Sequence, residues 1–366
     1  MSLLRFSRMT RHSLSRRAVL LAAAALPHTL ARSGVDNAAL RQKMEELARE
    51  HGICAATFAT ITAGTPDLPE LVVGCKSVDG VSASSIFQAA SLSKPVVAYG
   101  VLKLVAQAKL DLDASVARYL PEGYVHRSNP FENNRPPVTD KVAAADLKEV
   151  TIRSLLNHSS GLPNWSNGPL TFGFKPGTGW QYSGEGYMLL QKLVEVVSGE
   201  GLEEFLQRQV FKPLGMDRSG FRWNDALSGH VVPGTVMFGR AWQHRFPEPI
   251  AAASLCTTAG DYAKFMAALL RDESALRLTT AAPVSASARP PLDWGLGWGI
   301  EHLPSGPCIW QWGNNTGYRA FAMVSISSGD GFVLFTNSER GLLLAEPLAN
   351  LVIPSEHPAF RFRMLR

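Results

Sequence analysis

The sequence predicts an α+β (α/β) fold, in which strands from both ends of the chain form one antiparallel sheet. Two apolar strand patterns lie near the start of the chain, at 53–62 and 70–75. Further strand patterns lie near its end and are separated by short turns, at 295–301, 308–313, 318–325 and 331–337. We therefore expect a sheet of about five strands flanked by helices. A mainly helical lobe is inserted between the two sets of strands, and a site is expected in the cleft between sheet and lobe.

The middle of the chain carries apolar residues at helical spacing. Helices are predicted at 36–50, 96–108, 151–158, 185–197, 202–210, 261–270 and 342–352. Asp36 can cap the first helix and Gly52 can end it, whereas Pro347 should disturb the last one. The stretch 121–146 is rich in proline, asparagine and charge and is long for a plain connection. We expect it to form a surface lobe or a rim of the substrate site.

The charge of the chain is concentrated in its first residues. The formal net charge is +5, yet five arginines and no acid lie within residues 1–31. Without them, basic and acidic residues are equal in number, so the basic pI of about 9.1 gives no argument for nucleic-acid binding. With 46% hydrophobic residues, the chain can bury the core of a large globular domain.

Residues 1–31 predict a signal peptide. A basic region ends at Arg16 and Arg17, an apolar run from Ala18 to Leu26 follows, and Ala31 closes a small-residue cleavage site. The paired arginines favour a twin-arginine signal, and an ordinary signal peptide or a short uncleaved anchor are the alternatives. We therefore predict a domain at 32–366 that is exported from a bacterium to the periplasm or medium, without stable membrane insertion after signal removal.

The four cysteines have no metal-site spacing. We expect Cys54, Cys75, Cys256 and Cys308 to be small buried thiols, with a cross-strand bridge between Cys54 and Cys75 as the alternative. No cluster of metal ligands and no glycine-rich phosphate loop is evident in the sequence, so we predict neither a metal nor a cofactor.

Ser91 and Lys94 form the first candidate catalytic pair. They are three residues apart at the start of a predicted helix, which places both side chains on one face. A serine hydroxyl needs a neighbouring base to act as a nucleophile, and a buried lysine with a lowered pKa can be that base. The alternative is a helix start in which Ser91 or Ser93 is the N-cap and Lys94 is solvated.

Five ordered blocks together resemble the serine β-lactamase-related family. They are SLSK at 91–94, LLNHSSGLP at 155–163, PG at 176–177 with YS at 182–183 and GY at 186–187, VFKPLGM at 210–216 and TTAGD at 257–261. The resemblance covers about 38–340. The family includes class C β-lactamases, D-alanyl-D-alanine carboxypeptidases, D-amino-acid peptidases and family-eight carboxylesterases. It implies a β-lactamase/transpeptidase-like fold.

The resemblance implies that Ser91 attacks the substrate carbonyl and that Lys94 and Tyr182 share the proton transfers. A third motif, QWGNNTGY at 311–318, aligns with the family's Lys-Thr-Gly or His-Thr-Gly strand. It implies that Gln311, Trp312, Gly313 and Asn314 bind substrate. The oxyanion would be held by the backbone N–H groups of Ser91 and Asn314. The alternative for this motif is a plain core strand, and for Tyr182 an aromatic anchor on a loop.

Two departures from the family pattern bear on the substrate. Gly184 stands where the family's Tyr-x-Asn element has its asparagine, and Gln311 stands where a lysine or histidine is usual. A substrate carboxylate next to the scissile bond should therefore be bound less well, unless Arg319 or another cation substitutes. Trp312 adds an apolar wall, and the family-eight esterases also carry Trp-Gly in this strand. These changes favour esters or neutral amides.

We therefore predict a serine hydrolase with an acyl-enzyme on Ser91, most simply a carboxylesterase acting on a small ester or amide. The alternatives are a D-amino-acid peptidase or weak β-lactamase on cell-wall-like amides, and a catalytically silent binding module of the same fold. His158 is expected to be structural and to bond nearby backbone. Trp165, Trp180 and Trp310 are expected in the core or in the pocket wall.

Overall fold

A computed structural model describes residues 37–75, 80–131, 136–236 and 239–365 of the protein. The predicted signal peptide lies outside these residues, so it stays a prediction. Within the described ranges, no helix combines the length and the apolar character needed to cross a membrane.

Fifteen strands are numbered in chain order. They are β1 (Ala55–Thr62), β2 (Thr65–Pro66), β3 (Glu70–Val73), β4 (Phe87–Gln88), β5 (Tyr124–Arg127), β6 (Thr139–Val142), β7 (Gly234–Thr235), β8 (Ala241–Trp242), β9 (Cys256–Thr257), β10 (Val284–Ala288), β11 (Pro291–Trp294), β12 (Gly299–Leu303), β13 (Gly306–Asn315), β14 (Tyr318–Ser325) and β15 (Gly331–Thr336).

Ten α-helices lie within the described ranges, beside 3-10 and π-helical segments. They are α1 (Asn37–His51), α2 (Ser93–Ala106), α3 (Ile152–Leu156), α4 (Glu185–Ser198), α5 (Leu202–Leu206), α6 (Lys212–Leu214), α7 (Asp225–Ser228), α8 (Ala259–Arg271), α9 (Glu273–Thr280) and α10 (Ala345–Val352).

The central sheet joins both ends of the chain, which confirms the predicted α+β fold. Its strand order is β10-β11-β12-β13-β14-β15-β1-β2, with β3 also paired to β1. The ends meet where β1 lies antiparallel to β15, with Ala56 opposite Thr336. The sheet has nine strands instead of about five, because the short strand β2 and the hairpin β10–β11 extend its two edges.

Helices pack on both faces of the sheet because neighbouring strand residues point to opposite sides. In β15, Val333 and Phe335 belong to the larger core with α2, α4 and α8. Phe332 and Leu334 belong to a second core with α1 and α10. Both faces are therefore apolar, which explains the nearly continuous apolar runs of β1, β14 and β15.

The cysteine prediction is wrong for one pair. Cys54 and Cys75 form a disulfide, whereas Cys256 and Cys308 are buried free thiols. β1 and β3 pair antiparallel with Ala55 opposite Val73. The two cysteines flank this pairing, which brings their Cα atoms within 4.6 Å.

Several predicted helices differ in detail from the structure. The helix that begins at Leu202 continues beyond α5 through a π-helical segment, Gln207–Phe211, into α6. The last helix is preceded by a 3-10 segment, Gly341–Leu344, and Pro347 lies in the first turn of α10, where proline is tolerated. The stretch 121–146 contains the hairpin β5–β6, which the sequence analysis did not predict.

Candidate active site

Ser91 lies on a sharp turn between β4 and α2. Ala90 has a φ of +50°, an uncommon conformation for a non-glycine residue, and a 3-10 segment spans Ala90–Leu92. Ser93 holds the turn, because its Oγ donates to the Ala90 carbonyl at 2.6 Å and accepts from the Leu255 N–H at 3.0 Å. The N-cap of α2 is Leu92 and has no side-chain cap. The Ser91 hydroxyl is therefore not used as a helix cap.

Lys94 is fully buried, so the alternative of a solvated lysine is wrong. Its Nζ donates to Ser91 Oγ at 3.1 Å and to the Ala252 carbonyl at 2.8 Å. Burial lowers the pKa of Lys94 from 10.5 to about 7. A substantial fraction of the amine is therefore neutral at pH 7 and able to accept a proton.

The Tyr182 side chain lies beside this pair. Lys94 Nζ is 4.7 Å from the centre of the Tyr182 ring. Burial raises the pKa of the Tyr182 phenol, and hydrogen bonds with Ser91 and Gln311 oppose that rise. The phenol is thus protonated at neutral pH. A protonated phenol and a partly neutral amine next to one hydroxyl are suited to opposite proton transfers.

Gln311 is fully buried and contacts this group from within the protein. Its Nε2 donates to the Tyr182 hydroxyl at 3.3 Å and lies 3.5 Å from the Ser91 carbonyl oxygen. It is not among the residues that line the pocket. Gln311 therefore contacts the Tyr182 phenol and not the pocket, which differs from the predicted role in substrate binding.

Gly313 allows β13 to lie close to the turn that carries Ser91. A Cβ atom at this position would be 2.4 Å from the Ala89 carbonyl oxygen and 3.1 Å from Ala90 Cβ. Any side chain would push the strand away from the turn. The close approach keeps Asn314, the next residue, beside Ser91 at the edge of the pocket.

The pocket beside Ser91 has a volume of about 370 Å³. Its wall combines catalytic candidates, aromatic rings and amides: Ser91, Lys94, Phe131, Asn164, Trp165, Tyr182, Ala253, Trp312, Asn314, Asn315, Thr316 and Met364. Among these residues, Lys94 carries the only cationic side chain. Trp312 lies with its ring centre 4.8 Å from that of Tyr182 and forms the predicted apolar wall.

The space that an asparagine would fill at position 184 is occupied. A Cβ atom on Gly184 would lie 2.5 Å from the Asn164 carbonyl oxygen and 2.9 Å from Trp165 Cζ2. That carbonyl accepts the N–H groups of Gly184 and Glu185 at 2.9 and 3.1 Å. With residues 164–165 in this position, a side chain at position 184 would overlap them, so glycine fits there and asparagine does not.

Arg319 does not supply a cation to the pocket of Ser91. It lies in a neighbouring cavity of about 540 Å³, where it is joined by Arg340 and two glutamates. One of its guanidinium nitrogens donates to the carbonyls of Asn315 and Tyr318 at 3.0 and 2.8 Å. Asn314 and Met364 border both cavities.

His158 has the structural contacts predicted for it. Its Nδ1 accepts the Ser183 N–H at 3.2 Å, and its ring centre is 4.5 Å from that of Tyr182. Burial and the nearby Lys94 lower the pKa of His158, so the ring is neutral. Of the three tryptophans, Trp165 lines the pocket, whereas Trp180 and Trp310 lie in the aromatic core behind Tyr182.

Several pocket residues were not found from the sequence. Phe131 lies in the 121–146 stretch that was expected to form a rim, so a weak signal existed for it. Asn164 follows the recognisable LLNHSSGLP block, but its own residue type carries no signal. Asn315 lies in the third motif directly after Asn314, although no role was predicted for it. Met364 reaches the pocket only through the path of the last residues, which no local pattern predicts.

A serine, a buried lysine and a buried tyrosine at one pocket, on this sheet-and-helix framework, define a site of the serine β-lactamase type. The Beta-lactamase family model matches residues 40–351, and the chain belongs to this family of hydrolases.

Curated relatives include penicillin-binding proteins and an esterase. Penicillin-binding protein 4 of Amycolatopsis lactamdurans is 26% identical over 82% of this chain and 85% of its own length. Esterase EstB of Burkholderia gladioli is 33% identical over 37% of this chain, and the match spans only 38% of the esterase. A penicillin-binding protein of Bacillus subtilis is 26% identical over 70% of this chain, and the match spans 62% of that protein.

Solved structures support the same fold. A class C beta-lactamase superposes with a TM-score of 0.71 at 16% identity, covering 89% of this chain and 98% of the other. A penicillin-binding protein homologue from Pyrococcus abyssi, described as octameric, gives a TM-score of 0.67 at 22% identity over 86% of this chain and 77% of that one. At these identities the likeness concerns the fold alone.

Proposed function

We propose that the protein is a carboxylesterase that hydrolyses small neutral esters through an acyl-enzyme on Ser91. The observation that carries the proposal is the hydrogen bond from the Gln311 amide to the Tyr182 hydroxyl, at 3.3 Å. A neutral amide therefore lies next to the phenol. A cationic side chain at the same position would attract a carboxylate of the substrate. A neutral leaving group then fits the site better than an anionic one.

Acylation begins with proton transfer from Ser91 to the neutral amine of Lys94, 3.1 Å away. Ser91 Oγ forms a bond to the ester carbonyl carbon, and the carbonyl oxygen takes the negative charge. The backbone N–H groups of Ser91 and Asn314 are the proposed donors to that oxygen. When the bond to the leaving alcohol breaks, the Tyr182 phenol gives its proton to the alcohol oxygen, and Lys94 returns a proton to the phenolate.

Deacylation uses the same groups in reverse order. Water takes the place of the alcohol. The Tyr182 phenol passes its proton to the neutral amine of Lys94 and takes a proton from the water, whose oxygen attacks the acyl carbon. The bond between Ser91 Oγ and the acyl carbon then breaks, and Lys94 gives its proton to Oγ. The sequence balances without any further reactant, since one ester and one water give one acid and one alcohol.

The pocket wall supports an ester with an apolar acyl group. Phe131, Trp165 and Trp312 contribute aromatic side chains to the lining of the pocket that holds Ser91. Esterase EstB of Burkholderia gladioli, 33% identical over part of this chain, supports ester chemistry in a relative. The second candidate is hydrolysis of amides of the cell-wall type. The similarity to penicillin-binding proteins supports this candidate.

We also propose that the protein is exported, from the basic and apolar pattern of residues 1–31. The disulfide between Cys54 and Cys75 supports this, because such bonds persist in oxidising compartments.

The test is hydrolysis of p-nitrophenyl acetate and butyrate beside a chromogenic cephalosporin and a D-alanyl-D-alanine peptide, each repeated with Ser91→Ala. The proposal predicts ester turnover that Ser91→Ala abolishes and far slower turnover of the cephalosporin and the peptide. Faster turnover of the cephalosporin or the peptide would establish the second candidate instead.

A further inference from the structure

The loop 164–170 forms one wall of the pocket and is held from behind by a buried charged group. The hairpin β5–β6 supplies His126 and Asp140, and the first residue of α4 is Glu185. In β5, buried and exposed residues alternate, which directs His126 inward. The side chains of His126 and Glu185 are almost completely buried, and Asp140 is about one-fifth exposed.

His126 lies between the two carboxylates. Its Nδ1 is hydrogen-bonded to Asp140 Oδ1 at 2.6 Å. Its Nε2 is 3.3 Å from Glu185 Oε2, a close contact without hydrogen-bond geometry. Asp140 and Glu185 face the His126 ring from its two nitrogens, so the ring sets the separation of the two carboxylates. The three side chains are therefore held as one unit. They do not form a metal site, since no such group of ligands exists among the described residues.

Each carboxylate also holds one end of the pocket loop. The second oxygen of Glu185 accepts the Ser166 N–H at 2.8 Å. The second oxygen of Asp140 accepts the Leu170 N–H at 3.1 Å. His126 thus connects two anchors, at Ser166 and Leu170, in the same seven-residue loop.

The anchored loop carries two residues of the pocket wall. Asn164 and Trp165 line the pocket directly before Ser166. Trp165 packs against Phe131 of the hairpin, with ring centres 5.3 Å apart. The Asn129 N–H donates to the Ser166 carbonyl at 2.8 Å, which joins hairpin and loop a second time. A movement of the loop would therefore move the part of the pocket wall that Asn164 and Trp165 form.

We propose that His126 is a positioning residue: by bridging Asp140 and Glu185 it fixes the loop 164–170 and so sets the shape of the aromatic wall that receives the acyl group. The proposal rests on the esterase function for its kinetic consequence alone. We expect the wall to matter more for a bulky acyl group than for an acetyl group, because a larger group contacts more of the pocket lining.

The test compares His126→Asn with His302→Asn. His302 also pairs with an aspartate, Asp293, at 2.9 Å, but it is exposed and lies outside the pocket wall. Two readouts are measured on the folded full chain. One is hydrogen exchange of the Ser166 and Leu170 amides, and the other is hydrolysis of p-nitrophenyl acetate beside p-nitrophenyl 4-phenylbutyrate.

We expect exchange at both amides to quicken at least about tenfold in His126→Asn, since both carboxylate anchors lose their bridge. We expect kcat/KM for the phenylbutyrate to fall about tenfold, mainly through KM, with the acetate little changed. His302→Asn should leave both readouts as in the wild type. A purely structural role would lower stability without this split between the two esters.

Unchanged exchange at Ser166 and Leu170 would overturn the proposal. So would faster exchange with an unchanged preference between the two esters. If the wild type hydrolyses neither ester, the esterase function is wrong. Hydrogen exchange of the Ser166 and Leu170 amides then tests by itself whether His126 fixes the loop 164–170. If His126→Asn does not fold, Asp140→Asn replaces it, and we then expect the larger change at Leu170.

Discussion

The amide nitrogen of Gln311 lies 3.3 Å from the phenolic oxygen of Tyr182. This contact ties the residue that departs most from the family pattern to the proposed acid of the reaction. An amide donor stabilises the phenolate that forms when the proton leaves, but it adds no net positive charge to the pocket. The proposed preference for neutral substrates rests on this one contact.

Replacing Gln311 tests that preference. Gln311→Lys should raise kcat/KM for an ester with a free carboxylate on its leaving group, relative to its methyl ester, by about tenfold. Gln311→Leu should lower turnover of both by about three- to tenfold, because the side-chain amide no longer donates to Tyr182 and the Ser91 carbonyl or accepts the Trp312 N–H. An unchanged substrate ratio in Gln311→Lys would show that this position does not select for charge.

The pH dependence of turnover should report Lys94. Its pKa is lowered to about 7, and the neutral amine is the form that we propose accepts the Ser91 proton. The fraction of neutral amine, and with it kcat/KM, should therefore rise as the pH rises through about 7 and then level off. Tyr182 adds no fall at moderately alkaline pH, because burial raises its pKa.

Lys94→Met should remove this base and lower kcat by about 10²- to 10⁴-fold. Lys103→Met is the matched control, since Lys103 lies farther along the same helix and pairs with Asp272. A kcat/KM that falls from pH 6 to pH 8 would contradict the assignment of a neutral amine as base.

The tight fit at Gly184 should make side chains costly there. A Cβ atom would meet the Asn164 carbonyl oxygen at 2.5 Å, so Gly184→Ala should reduce the free energy of unfolding by about 2 kcal/mol. Gly168→Ala lies in the neighbouring loop where a Cβ meets nothing within 4 Å, and should cost much less. Thermal unfolding of both variants is the measurement, and equal losses would contradict the packing argument.

The disulfide should contribute measurably to stability. Cys54 and Cys75 are 21 residues apart, and closing a loop of this size stabilises a folded chain by about 3 kcal/mol. The double variant Cys54→Ser/Cys75→Ser should unfold at a lower denaturant concentration than the oxidised wild type. A reductant should lower the midpoint of the wild type and leave that of the double variant unchanged.

The fold was predictable because most of its strands and helices have recognisable local sequence patterns. The β13–β15 strands show as apolar runs between short turns, and Gly199 ends α4 in the left-handed conformation that its residue type predicts. The edge hairpin β10–β11 was missed, since β10 has one valine among serines and alanines and the apolar alternation of β11 spans only Leu292 and Trp294.

Geometry alone predicts the site only where a motif spans few residues, whereas Tyr182 and Asn314 were predicted from the resemblance. Ser91 and Lys94 are three apart, and helix geometry alone brings them together. The neighbours of Tyr182 come from distant segments, so the contact with Gln311 depends on how the sheet meets the lobe. Asn164 and Met364 enter the pocket through loop paths that tertiary packing decides.

The central claim is that Ser91 is a nucleophile activated by Lys94. The most direct measurement is labelling of the protein with a small fluorophosphonate, followed by mass spectrometry of the intact chain and its peptides. We predict one adduct, located on Ser91, absent in Ser91→Ala and formed far more slowly in Lys94→Met. A wild-type chain that stays unlabelled, or that is labelled at another residue, would contradict the claim and favour a silent binding module of the same fold.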